Sequence, residues 1–231
     1  MTRFTDRTDA GRRLARLLHA WRGERAVVLG LPRGGVPVAW EVARTLDLPL
    51  DVLVVRKLGA PGNPELGMGA IAEGGERYLD PSVIHSVGAS PAEVEAITAR
   101  ERAELYRRVE RFRGGRQPLP LQGMTALVVD DGVATGGTAI AALRAVRARN
   151  PARVVLAVPV APHRTLAALR DEADDVVCVD PVDVLWAVGA YYDDFAQVDD
   201  DEVIDILALA RARRGDAGSA PLPTQVPPVA P

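Results

Sequence analysis

"LVVDDGVATGGTA", residues 127–139, decides how the rest of this chain is read. An apolar run (126–129) meets Asp130 and Asp131, then a stretch of small residues, then a second apolar run. That order describes a buried strand, a tight turn and a helix start. Small residues let the backbone approach a ligand. A helix N-terminus adds unpaired N–H groups and the positive end of the helix dipole, so "ATGGT" reads as an anion cradle suited to a phosphate. Thr135 and Thr138 add hydroxyl donors to Gly136 and Gly137. The stretch has no lysine and the wrong spacing for a Walker loop, and it contains no G-x-G-x-x-G. Two carboxylates beside such a cradle repel an anion unless a cation lies between them or the ligand carries hydroxyls that donate to them. A phosphorylated ribose meets both conditions, with its phosphate in the turn and its 2- and 3-hydroxyls on Asp130 and Asp131. An isolated Asp-Asp reads more simply as loop capping; the turn that follows shifts the balance to a ligand.

Outward from this stretch, apolar runs alternate with helical patterns. Residues 8–21 form an amphipathic helix. Strands are expected at 25–31, 50–55, 125–131, 153–161 and 175–180, and helices at 38–46, 138–150, 163–173 and 199–214. The strands are continuously apolar, the signature of a parallel sheet covered on both faces. The expected fold class is therefore α/β, an open, mainly parallel sheet flanked by helices. Ligands of such sheets bind at the carboxyl ends of the strands, which is where "PRGG" (32–35), Arg56-Lys57 and "DDGVATGGT" fall. Residues 59–67 carry turn chemistry, 68–75 read as a strand entering a turn, and Ser90-Pro91-Ala92-Glu93 is a capping box that opens a long helix to about 112. His19 reads as surface, His85 as loop, and His163 as the start of a helix.

The chain has 231 residues, 48% of them hydrophobic, and a formal net charge of −3. Those figures suit one globular domain with elaborations or two small ones, and supply no basic face for a nucleic acid. No apolar run is long enough to span a bilayer, the N-terminal residues do not read as a signal peptide, and the single cysteine, Cys178, cannot make an internal disulfide. The expectation is a cytoplasmic protein without nucleic-acid or membrane partners. Lys57 is the only lysine among 28 basic residues, which marks it in a chain that otherwise uses arginine.

"ALVVDDGVATGGT" resembles the phosphoribosyl pyrophosphate signature of type I phosphoribosyltransferases, and "GLPRGGVPVA" (30–39) resembles their pyrophosphate-binding loop. The resemblance implies that fold with a small hood. It assigns phosphoribose binding to Asp130, Asp131, Ala134, Thr135, Gly136, Gly137 and Thr138. Pyrophosphate binding falls to Arg33, Gly34 and Gly35, with a cis peptide at Pro32-Arg33. Arg56-Lys57 resembles a pair that faces the pyrophosphate, and the segment after it falls where the family has a flexible catalytic loop, which makes Glu65 a candidate catalytic residue beside Arg56 and Lys57. "LWAVGAYYDDF" (185–195) is similar to a hood segment in which Trp186 would stack on a base, Val188 would lie near the backbone that reads the base edge, and Asp193 would reach the metal. Packing in the core is an equal reading of Trp186. The implied cofactor is Mg²⁺, with Asp130, Asp131 and Asp193 as its candidate environment. Ala134 stands where hypoxanthine-type enzymes have an aspartate, which removes the obvious base for a purine N–H.

The activity so implied is Mg²⁺-dependent transfer of a phosphoribosyl group from phosphoribosyl pyrophosphate to a small nitrogenous acceptor, a nucleobase first. Two rivals are a non-catalytic sensor of phosphoribosyl pyrophosphate or nucleotide on the same fold, and hydrolysis or phosphate chemistry on a related sugar phosphate. The expected organisation is a single domain over 1–214, with a hood from about 1–24 and 182–214, an inserted helix at about 90–113, and a disordered tail at 215–231. Homo-oligomerisation stays open.

Overall fold

The computed structural model describes residues 3–215, apart from the Glu65 side chain. The expected tail beyond 215 lies outside the described residues. Five parallel strands form the main sheet: β1 (Ala26–Gly30), β2 (Leu50–Val52), β6 (Thr125–Val129), β7 (Arg153–Pro162) and β8 (Asp175–Val182), in the order β2-β1-β6-β7-β8. Both faces are covered. Ala26 and Val28 face a layer built by α1 (Arg7–Leu17), α2 (Gly35–Leu46), α4 (Pro91–Arg113) and α7 (Asp200–Arg213), while Val27 and Leu29 face α5 (Gly137–Arg147) and α6 (His163–Leu169). This two-sided burial explains the unbroken apolar runs in the sequence.

The chain winds from β1 outward to β2, and later from β6 outward to β7 and β8. The crevice where the winding changes direction therefore lies between β1 and β6, at their carboxyl ends. Gly30 of β1 is the register partner of Val129 of β6, and the Leu31 N–H donates to the Val129 carbonyl (2.9 Å). The loops "PRGG" and "DDGVATGGT" thus leave the sheet side by side.

The segment after β2 departs from the sequence reading. Residues 59–67 are not a free turn. β3 (Val55–Ala60), β4 (Asn63–Ala72) and β5 (Arg77–Leu79) form a separate antiparallel sheet, packed on α5 and α4. Its glycines read as turn signals but serve close backbone approach. A Cβ on Gly59 would lie 2.5 Å from the Pro64 carbonyl oxygen, and one on Gly69 would collide with the Tyr78 carbonyl oxygen. Gly62 (φ +72°), at the β3–β4 tip, and Gly74 and Gly75 (φ +95° and +94°), between β4 and β5, need glycine for their backbone conformation. α3 (Pro81–Val87) was also not anticipated. Asp80 caps it by accepting from the Ser82 and Val83 N–H groups, so His85 lies on a helix rather than in a loop.

The capping box of α4 forms as expected: the Ser90 hydroxyl accepts from the Glu93 N–H, and the Glu93 carboxylate accepts from the Ser90 N–H. At the other end of the helix, Arg113 enters the interior with only 6% of its side chain exposed. It donates to Asp51 of β2, to Glu73 just after β4, and to the Val52 carbonyl. One guanidinium therefore ties the parallel sheet, the small sheet and α4 together.

Candidate active site

Two backbone crossings set the site. Gly34 and Gly35 of the first loop pack directly on the aspartates: a Cβ on Gly34 would collide with Asp131 Oδ2, and one on Gly35 would stand 2.8 Å from both Asp130 Cα and the Val129 carbonyl oxygen. Gly132, just after the aspartates, lets Val188 close over the loop, since a Cβ there would lie 2.6 Å from Val188 Cγ1. The structure thus brings Gly34, Gly35, Asp130, Asp131 and Val188 together. The Pro32–Arg33 peptide is cis.

The cradle residues sit as the strand–turn–helix pattern requires. Gly136 (φ +90°) is the N-cap residue of α5, and no side chain caps the N–H groups of Gly137 and its successors. Ala134 and Thr135 are exposed, and Thr138 is half-buried in the first turn. A residue the sequence did not mark, Thr165 of α6, is buried behind the turn; its hydroxyl donates to the Ala134 carbonyl (2.8 Å).

The carboxylates carry the strongest electrostatics of the site. Burial, and then the neighbouring Asp131 charge, push the Asp130 carboxyl well above the usual carboxylate range. Burial also raises Asp131, against an opposing pull from Arg7. Arg7 Nε lies 2.9 Å from Asp131 Oδ2, with 12% of the Arg7 side chain exposed and 15% of the Asp131 side chain. The same guanidinium donates to the Ala196 carbonyl (2.7 Å) and lies 3.8 Å from the centre of the Phe195 ring. The Tyr192 hydroxyl donates to the Asp131 carbonyl (2.6 Å), and burial raises that hydroxyl, so it remains a donor at neutral pH. Tyr192 and Phe195 fall within the hood-like segment 185–195 without being singled out there, and Arg7 had no local signal. Arg7 stands 124 positions from its partner.

Other expected residues are placed differently. Adjacent residues of a strand point to opposite faces, so β3 separates Arg56 from Lys57. Arg56 goes with Leu58 toward α4, where Glu101 accepts from it at 2.7 and 3.1 Å. Lys57 lies beside Gly67 on the other face. Both cations nevertheless line one cavity of about 320 Å³, together with Pro64, Arg100 and Glu101. Arg33 is near α7 rather than unpartnered: its Nη1 is 3.7 Å from Asp200 Oδ1, and Arg111 holds the other oxygen of that carboxylate at 3.1 Å. Trp186 is 93% exposed, so it is not a core residue. α7 packs on α2, α4 and β2, at the sheet edge; of the segment expected as hood, it is residues 188–196 that reach the aspartates. Glu65 lies outside the described side chains.

The donor set bears on Mg²⁺ as follows. Asp193 pairs with Arg3 at 2.8 Å in an exposed ion pair, and among the described residues no three His, Cys, Asp or Glu side chains form a metal-holding group. Asp193 is therefore not gathered with the aspartate pair in this structure. One or two carboxylates with substrate phosphates suffice for Mg²⁺, which keeps several waters and does not need an all-protein cage. Asp130, with Asp131, fits that limited role.

A family model described as a phosphoribosyl transferase domain matches residues 3–195. Proteins from two strains of Mycobacterium tuberculosis, provisionally named phosphoribosyl transferases, are 49% identical over 219 residues, 95% of this chain and 49% of theirs. The chain spans about half the length of these curated relatives. Among solved structures, TT1426 from Thermus thermophilus is 48% identical with a TM-score of 0.75, covering 89% of this chain and 98% of that one. A hypothetical protein from Neisseria gonorrhoeae with bound ppGpp shares the fold at 16% identity and a TM-score of 0.52, over 91% of this chain and 97% of that one. The family match ends at residue 195, before α7 begins. No helix of the described residues is long and apolar enough to cross a membrane.

Proposed function

Because the chain belongs to the phosphoribosyl transferase domain family, we propose that it transfers a phosphoribosyl group from phosphoribosyl pyrophosphate to a nitrogenous acceptor, a nucleobase as the first class, with release of pyrophosphate. The observation that carries this reading is the contact between the two loops: "PRGG" packed on Asp130 and Asp131 at the point where the sheet changes direction. In this reading Asp130 and Asp131 accept from the ribose hydroxyls, which fixes the ring so that acceptor and leaving group stay in line. The α5 N-terminus with Thr135 and Thr138 receives the 5-phosphate. The Gly34–Gly35 backbone, Arg33 and Lys57 receive the pyrophosphate, whose negative charge grows as the bond to the anomeric carbon breaks. Bound Mg²⁺ would add charge neutralisation there. The acceptor nitrogen forms the new bond and gives up its proton. Ala134 supplies no base for that proton, and Glu65 is the candidate by position. Val188, against Gly132, and the exposed Trp186 lie on the segment that would meet the base.

Calorimetry with phosphoribosyl pyrophosphate and Mg²⁺ tests the binding step, and a base panel followed by pyrophosphate release tests the transfer. Asp130→Asn and Asp131→Asn are each expected to weaken binding at least tenfold. Unchanged affinity in both would return the pair to loop capping and end this reading.

A sensor that binds the same ligand without turnover is the second reading. It draws on the internal pairing of the site's charges: Arg33 near Asp200, Arg56 on Glu101 and Asp131 on Arg7. Tight binding with no pyrophosphate release across the whole panel would select it.

A further inference from the structure

Arg7 belongs to no motif of the phosphoribose signature, yet it makes the shortest ionic contact to that signature. Its guanidinium is held on three sides: by the Asp131 carboxylate at 2.9 Å, by the Ala196 carbonyl at 2.7 Å, and by the Phe195 ring face at 3.8 Å. A planar guanidinium can stack on a ring and donate in its own plane at the same time, which an ammonium group cannot reproduce. The cage around it is itself braced. The Phe4 N–H donates to the Tyr191 carbonyl, and the Asp193 and Asp194 N–H groups donate to the Phe4 and Thr5 carbonyls, so the residues before α1 run as a strap along residues 191–194. Phe4 and Tyr192 are fully buried against each other, with ring centres 5.3 Å apart. Tyr192 then grips Asp131 from its backbone side.

We propose that Arg7 is a positioning residue of the phosphoribose site: it holds Asp131 by Oδ2 in the orientation that presents the carboxylate to a ribose hydroxyl, and it joins the N-terminal helix and the 192–196 segment to the site as one unit. This rests on the phosphoribose reading of the preceding subsection. Two half-buried carboxylates next to each other repel, and each also repels the phosphate they are placed beside. A cation fixed on one of them lowers both repulsions. Arg7 provides that charge from within the chain, at the carboxylate whose crowding against Gly34 leaves it little freedom to turn.

The test is calorimetric titration of the whole chain with phosphoribosyl pyrophosphate and Mg²⁺, with thermal unfolding as a check on folding. Arg7→Ala should weaken binding at least tenfold while still unfolding cooperatively. Methylguanidinium in the buffer should restore part of that loss in Arg7→Ala and leave the unsubstituted protein unchanged; a cavity of about 150 Å³ beside Arg7, Asp194 and Ala196 gives the small cation access. Arg7→Lys should fall between the two, because it keeps the charge without the fork. Removing Arg7 in an Asp131→Asn background should add no further loss, since an effect exerted through Asp131 cannot outlast it. Full affinity in Arg7→Ala, or equal losses from Arg7→Ala with and without Asp131, would overturn the proposal. If Arg7→Ala does not fold, the same cycle run with Arg7→Lys decides it, on additive or non-additive losses. Unchanged binding in Asp131→Asn alone would instead end the phosphoribose reading and leave Arg7 as a structural ion pair.

Discussion

At the scale of single residues, the site is maintained against the interest of stability. Asp130 is half-buried beside a second carboxylate, and both desolvation and that neighbour disfavour its charged form. An aspartate raised in this way destabilises the folded chain at neutral pH, because the unfolded chain ionises freely. Asp130→Asn should therefore raise the thermal midpoint of the ligand-free protein at pH 7 while removing phosphoribosyl pyrophosphate binding; a lowered midpoint would contradict the assignment of a strained carboxylate. Gly35→Ala should act differently. The new methyl meets backbone atoms of Asp130 and Val129 at 2.8 Å, so the start of α2 and the end of β6 must move apart at the site, with a loss of roughly 1–3 kcal/mol in denaturant unfolding. Cys178 is the remaining reactive type. Burial pushes its thiol up to about 11, so alkylation by iodoacetamide at pH 8 should be slow in the folded protein and become rapid only on unfolding.

Elements succeed or fail as a set through Arg113. It sits at the end of α4 and satisfies buried carboxylates from two different sheets. Arg113→Met leaves Asp51 and Glu73 buried without their cation, a loss of roughly 3–5 kcal/mol, measurable as a shift of the urea midpoint. Legibility at this scale was uneven. The strands of the main sheet could be read from their unbroken apolar runs, and α4 from its capping box. The β3–β4 hairpin could not, because its glycines and prolines resemble a turn until a neighbouring carbonyl shows why no Cβ fits. α3 did carry a signal, Asp80 before Pro81, but seven residues with no buried face give no apolar period to accompany it.

Across the whole molecule, charge is distributed as pairs rather than patches, and acid is the condition that undoes them. Asp80 is held low by the Ser82 hydroxyl and backbone N–H donors, Asp174 by Arg147 and the Val154 N–H, and Glu104, down to about 2, by Arg107 and Arg108. For a carboxylate lowered by folding, the stabilisation is fully present above its unfolded value near about 4 and is lost as pH falls through the folded value. The thermal midpoint should therefore decline between about pH 4 and pH 2, and Asp174→Asn should flatten part of that decline. A midpoint that rises with acid would reverse the sign.

The sequence by itself determined the central strand, the small-residue turn and helix start after it and the place of the two aspartates between them, because these follow from local pattern: apolar continuity, small residues and a helix start within thirteen positions. It also determined that the first glycine loop would lie at the same edge of the sheet. Only the tertiary structure decided which charges meet. Arg7 reaches Asp131, Arg56 turns to Glu101, Arg33 approaches Asp200, and Asp193 stays with Arg3. Those pairings depend on strand alternation and on contacts between residues up to 190 positions apart (Arg3 to Asp193), and no local pattern encodes a partner at that distance.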